Sequence, residues 1–162
     1  RSLFSDLLQQ ALALAKREQY NVALMFVDLD HFKEVNDTFG HAVGDLLLKE
    51  AAQRMQAAVR NSDVIGRIGG DEFVVLLAKL EGERDALLVG EKLRSTLEQP
   101  FLLDEHHVAI SCSIGIALFP DHGITEKELA LHADQAMYLG KQSGRNAVRL
   151  FSTEMDLSAP NT

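Results

Sequence analysis

From Val108 to Phe119 the chain runs without a charged side chain. Alternation assigns Ile110, Cys112, Ile114, Ile116 and Leu118 to one face of a strand. Ala109, Ser111, Ser113, Gly115 and Ala117 fall on the other. A strand with no charge on either face has both faces covered, so it is central in its sheet. The small residues predict a helix packed closely over their side. Cys112 lies on the bulky side, where a thiol is core filler rather than a reactive group.

The other elements arrange themselves around that strand. Val22 to Asp28 is a short β-rich apolar run, hence a buried strand. Val64–Ile68 and Glu72–Leu77 read as two strands joined by Gly69-Gly70-Asp71. Helical spacing of apolar residues marks the start of the chain at Leu3, Leu7, Leu8, Ala11 and Leu12. It marks a second helix after Gly44-Asp45 through Leu47, Leu48, Ala51 and Met55. Further helices cover Glu83–Leu97, stopped by Pro100, and about Glu126–Gln142. Asn146–Phe151 is a possible closing strand. From the first strand onward the order β-α-α-β-β-α-β-α-β suits an α+β sheet with helices on its faces.

At 162 residues and 17.9 kDa the chain has the size of one domain. It is long enough to bury a core without disulfide or metal staples. With a single cysteine, a disulfide framework and a multi-cysteine zinc site are excluded. Lys and Arg number 16 against 24 Asp and Glu, a formal net charge of −8. That balance argues against a nucleic-acid or anionic-membrane surface. No apolar run approaches a membrane span and no signal peptide opens the chain, so the expectation is a cytoplasmic domain without direct membrane insertion. Both ends read as cut from a longer chain, with residues 153–162 a tail or linker.

The chemistry concentrates in a few places. Asp28-Leu29-Asp30 ends the first strand, and paired carboxylates there are hard-oxygen groups suited to Mg2+ with phosphate. The structural alternative has Asp30 capping the following helix. Gly69-Gly70 is both a tight-turn pair and a place where a ligand can approach the backbone. Asp71 and Glu72 follow it directly. Lys33 stands one helical turn after Asp30. Asn36 and Asp45 flank Phe39-Gly40-His41 in a loop, where they either read a base edge or shape a turn and a helix start. Lys141 and Arg145 close the last helix around Gly144, as phosphate-binding cations or as ordinary helix-terminal charges. No Walker A, GxGxxG or GxSxG pattern occurs.

Taken together, the segments VDLDHFKEVNDTFGHAVGD, RIGGDEF, SIGIALFP and ADQAMYLGKQSGRN resemble the GGDEF family, the diguanylate cyclase domains. The four blocks stand in the family's order and span nearly the whole chain. The resemblance implies a palm-like, ferredoxin-like nucleotidyl cyclase fold with an antiparallel-rich central sheet flanked by helices. It implies condensation of two GTP into cyclic di-GMP with loss of two pyrophosphates. Mg2+ is the implied cofactor, with Mn2+ as a substitute. A homodimer is implied too, because each domain binds one GTP and a lone domain holds half an active site.

Residue by residue, Asp28 and Asp71 resemble the metal's carboxylate ligands, joined by the Leu29 carbonyl. Asp71 also resembles the group that helps deprotonate the 3′-hydroxyl, with Glu72 a supporting acid. Asn36 and Asp45 resemble the guanine-reading pair. Lys33, Lys141 and Arg145, with backbone N–H groups near His31 and Phe32, resemble the triphosphate-holding set. Gly69 and Gly70 resemble the turn lying against the nucleotide.

Arg60-Asn61-Ser62-Asp63 resembles the RxxD motif that binds product and inhibits. Arg60 would pair with guanine acceptors and Asp63 with guanine N–H groups. Lys92 or Arg94 from a second domain is a weaker addition. The family's opening DxLTGLxNR segment is missing apart from Arg1, and Gly140 replaces a common alanine. Phe151–Met155 resembles the junction before an EAL phosphodiesterase domain. That implies neighbouring sensor and EAL domains, and an alternative role as a non-catalytic GTP- or cyclic di-GMP-binding regulatory domain.

Overall fold

The computed structural model describes residues 2–153. The expected tail from 154 onward, Glu154 and Met155 of the proposed EAL junction, and Arg1 lie outside the described residues. Strand β1 (Asn21–Leu29) carries the alternation Leu24, Phe26 and Asp28 on one face. It pairs antiparallel with β3 (Glu72–Leu80) on one side and β6 (Cys112–Phe119) on the other. Strand β2 (Val64–Gly69) pairs antiparallel with β3, and β7 (Ala147–Leu150) runs parallel to β6. The sheet order is β2-β3-β1-β6-β7. This is the expected antiparallel-rich α+β sheet.

Helices cover both faces. On one, α2 (Phe32–Phe39), α3 (His41–Ala58) and α4 (Glu83–Glu98) close over Ala23, Met25, Val27 and Leu29 with Leu47, Met55, Leu93 and Leu97. On the other, α1 (Leu3–Glu18) and α5 (Glu126–Gln142) bury Leu8, Leu12, Leu129 and Ala133 against Val22, Leu24 and Ala117. The prediction of a helix close over the small-residue face holds. A Cβ on Gly115 would lie far inside van der Waals contact of the Ala133 carbonyl and the Met137 backbone. That glycine seats α5 on the sheet, and α5 carries Lys141 at its end. Thr125 and Glu128 form a capping box that starts the helix.

The long strand expected over Val108–Phe119 is divided. Residues 101–108 form a separate hairpin, β4 (Phe101–Leu103) with β5 (His106–Val108), turning at Asp104 and Glu105 with positive φ. Sheet pairing resumes at Cys112. The intervening Ser111 gives its carbonyl to the Asp30 N–H at 2.9 Å. The absence of charge reported burial correctly, but burial of Ile110 does not require it to stay in the ladder. Cys112 is fully buried, and burial pushes its thiol well above the ordinary range. Among the described residues no helix is long and apolar enough to cross a membrane.

Candidate active site

The carboxyl end of β1 opens into a cleft of about 190 Å3. Asp28, Leu29, His31, Phe32, Lys33, Asp71, Lys141 and Arg145 all line it. The sequence separates these residues into three segments, and the sheet order reunites them. Asp28 comes from β1, Asp71 from the β2–β3 turn beside it, and Lys141 and Arg145 from the end of α5.

Asp28 is 8% exposed. One carboxylate oxygen accepts from the Lys141 ammonium, while the other is buried with no partner. Burial raises its pKa most. The Lys141 hydrogen bond opposes this, and the charge of Asp71 raises it further. Glu72 stands opposite Asp28 in the β1–β3 register. Its pKa is raised by burial first and then by Asp28 and Asp134. Carboxylates crowded in this way, with one buried oxygen unmatched, fit a hard cation. Asp28, Asp71 and the Leu29 carbonyl could hold it. Among the described residues no three side chains form a complete metal cluster, so substrate oxygens and water would finish the shell.

The glycine turn leaves room for a ligand. A Cβ at Gly69 or Gly70 would meet nothing within 4 Å, and Gly70 has φ +52. The Arg67 guanidinium donates to the Gly70 carbonyl at 3.0 Å, holding the turn's shape.

Asp30 departs from both readings of the paired carboxylates. It caps no helix: His31, with φ 59, occupies that position and makes no side-chain cap bond. Nor is Asp30 free to bind a metal, since both its oxygens already accept hydrogen bonds from Ser111, Ser113 and Asn146.

Asn36 and Asp45 do not lie in a loop. Gly40, with φ +94, is the single residue joining α2 to α3, so both side chains project from helices. The half-buried Asn36 lies over Gly44, where any Cβ would collide with its carboxamide oxygen. The exposed Asp45 is therefore its neighbour. Neither lines the phosphate-sized cleft; Asp45 borders a separate cavity of about 400 Å3 with Leu48, Arg67 and Phe73.

Arg60 and Asp63 form a closed pair. The Arg60 Nε lies 3.3 Å from Asp63 Oδ2. The Asp63 side chain is 1% exposed and also accepts from the Arg60 and Ala78 N–H groups at 3.0 and 3.2 Å. Only Arg60 reaches solvent. Lys92 is exposed, whereas Arg94 is bound within the chain by Glu91, Glu98 and Asn146. A cavity of about 720 Å3 between α1 and the β6–α5 turn lies away from this chemistry.

The family model for the diguanylate cyclase GGDEF domain matches residues 1–147. The chain belongs to the GGDEF family. It is 48% identical over 159 residues to the bifunctional diguanylate cyclase/cyclic di-GMP phosphodiesterase MucR of Pseudomonas aeruginosa, covering 98% of this chain and 23% of that protein. It is 42% identical over 151 residues to the diguanylate cyclase TpbB of that species, covering 93% of this chain and 35% of TpbB. The crystal structure of the TpbB GGDEF domain superposes with a TM-score of 0.91 at 41% identity, covering 94% of this chain and 95% of that one. The chain therefore spans about a quarter to a third of the length of these curated relatives.

Proposed function

We propose that this domain is a Mg2+-dependent diguanylate cyclase that joins two GTP molecules into cyclic di-GMP and two pyrophosphates. The observation that carries the reading is the unpartnered buried oxygen of Asp28, in a cleft that also holds Asp71 and three cations. Lys33, Lys141 and Arg145 offset the triphosphate charge, and the N–H groups at the start of α2 face the same cleft. Asn36 and Asp45 read guanine from the α2–α3 corner. Asp71, with Glu72 in support, accepts the proton as the 3′-oxygen bonds to the α-phosphorus of the other GTP. The bond from that phosphorus to pyrophosphate breaks in line. Bound divalent cation would polarise the phosphate oxygens and lower the pKa of the hydroxyl. Each hydroxyl belongs to the nucleotide on a second copy, so catalysis requires a homodimer.

Incubation with GTP and Mg2+ tests this directly. Cyclic di-GMP should form, more steeply than first order in protein, and chelation of Mg2+ should weaken nucleotide binding. No product at high protein concentration from a version extended at the N-terminus would overturn the reading. A second reading is favoured by one fact: a relative 36% identical over 155 residues, NbdA of P. aeruginosa, is a cyclic di-GMP phosphodiesterase. In that case the domain binds GTP or cyclic di-GMP and regulates an attached EAL domain, and calorimetry shows binding without turnover.

Product inhibition through Arg60 and Asp63 is part of the proposal. For Asp63 to meet a nucleotide, the internal Arg60–Asp63 pair must open. Arg60→Ala should abolish inhibition by added cyclic di-GMP, and unchanged inhibition removes the second site.

A further inference from the structure

We propose that Asp30 is a positioning residue: together with Asn146 it locks the turn that aims Arg145 into the cleft, and it couples that turn to α4. The inference rests on the reading of the cleft as a GTP site. Asp30 is 3% exposed and borders the cleft, but its carboxylate oxygens are both taken up by hydrogen bonds within the chain. Its Oδ2 accepts from the Ser111 hydroxyl at 2.6 Å and from the Asn146 N–H at 3.0 Å. Its Oδ1 accepts from the Ser113 hydroxyl at 2.7 Å.

The turn it grips is strained. Arg145 and Asn146 are consecutive non-glycine residues in the left-handed region, with φ 61 and 48. Two such residues in succession are disfavoured and persist only where their surroundings enforce them. Three sets of bonds enforce it here. The Arg145 N–H donates to the Gly140 carbonyl at 3.0 Å. Asp30 holds the Asn146 N–H. From the opposite side, Arg94 Nη1 donates to Asn146 Oδ1, and Asn146 Nδ2 donates to Glu98, both at 2.8 Å. Among the described residues the Arg145 guanidinium has no hydrogen bond or ion pair of its own. It lines the cleft, and its charge is left for an anion. Asn146 is thus gripped by the carboxyl end of β1 on one side and by α4 on the other.

The test is a double-mutant cycle on GTP turnover with Mg2+. Asp30→Ala should raise the KM for GTP about tenfold with little change in kcat, and less than about twofold when Arg145 is already alanine. Asp30→Asn should recover most of the loss. Its carbonyl can serve Ser111 and Asn146 while its amide donates to Ser113, whose hydroxyl also accepts. Arg94→Ala and Asn146→Gly should give smaller KM effects, also absent in the Arg145→Ala background. Asn146→Gly keeps the left-handed backbone and so stays folded if Asp30→Ala does not. Effects that add fully to Arg145→Ala would overturn the proposal, because a merely structural residue would behave that way. Amide exchange across residues 144–147, measured without nucleotide, separates the two claims. Exchange unaltered by Asp30→Ala sinks the positioning role whether or not the protein makes cyclic di-GMP. Exchange accelerated by it, in a protein that neither binds nor converts GTP, supports the grip on the turn and overturns the cyclase reading.

Discussion

Asp28 and Asp30 stand two residues apart at the end of one strand, are 8% and 3% exposed, and have opposite surroundings. Asp30 faces three donors, two hydroxyls and a backbone N–H, and every one of its oxygens is matched. Asp28 has only Lys141, keeps one oxygen unpartnered, and is pressed by the charge of Asp71. A buried carboxylate with its bonds complete ties the fold together. One left incomplete raises the energy of the free protein and is relieved by a ligand. The difference separates structure from function more sharply than burial or residue type could.

The largest expected effect is on Asp28. Asp28→Asn should lower cyclic di-GMP formation by roughly a thousandfold, about 4 kcal/mol of transition-state stabilisation. The melting temperature of the free protein should hold or rise, because a charge crowded by Asp71 is removed. A fall in stability as large as the one for Asp30 would erase the contrast.

Asp30→Ala comes next. It leaves two hydroxyls and an N–H without their acceptor, and should cost about 3 kcal/mol in denaturant unfolding. Asp30→Asn should cost about 1 kcal/mol or less by the same measurement, since an amide can satisfy the same three groups. Equal losses for the two variants would mean that the negative charge itself matters at Asp30.

A smaller effect concerns pH. The native pKa values of Asp28 and Glu72 lie above their ordinary 3.8 and 4.5. The native state therefore holds protons that the unfolded chain has released. These two groups make stability fall as pH rises from those ordinary values through the native ones. Subtracting Asp28→Asn from the parent protein, in melting curves between about pH 4 and about pH 7, isolates the Asp28 share. Mg2+ should flatten that difference. A difference that grows with rising pH reverses the sign and breaks the comparison. Last, Ser111→Ala removes one of the donors to Asp30 and should cost about 1 kcal/mol, with the GTP KM moving only slightly.

Much of this was legible before any coordinates. The uncharged run through Ile114, Ile116 and Leu118 marked the sheet centre, and Gly115 marked the close helix. The blocks around Asp28, Gly69-Gly70-Asp71 and Lys141 marked the cleft. What escaped was long-range. The β4–β5 hairpin carries His106 and His107 at its exposed edge and gives little apolar period, so in sequence only its last residue, Val108, reads as strand, and as part of the following one. Ser111 and Ser113 read as small filler because their hydroxyls have no meaning until an acceptor faces them. Arg60 and Asp63 were visible as a pair in sequence, but their mutual closure depends on Ala78 from a neighbouring strand. Arg94 reads in sequence as a candidate contact from a second domain, and Glu91, Glu98 and Asn146 of its own chain hold it.

The net charge of −8 is unevenly spread: Lys33, Lys141 and Arg145 converge at the cleft. By itself the sequence determined the layered α+β class, the family, and which carboxylates and cations stand in the motif blocks around the Gly69-Gly70 turn. Periodicity and motif spacing are local, and local pattern is enough for those. Only the tertiary structure decided that Asp28 is short of partners while Asp30 is complete. The donors to Asp30 lie 81, 83 and 116 residues away in the chain. Hydrogen bonds over that distance exist only after the sheet has brought β1, β6 and β7 side by side.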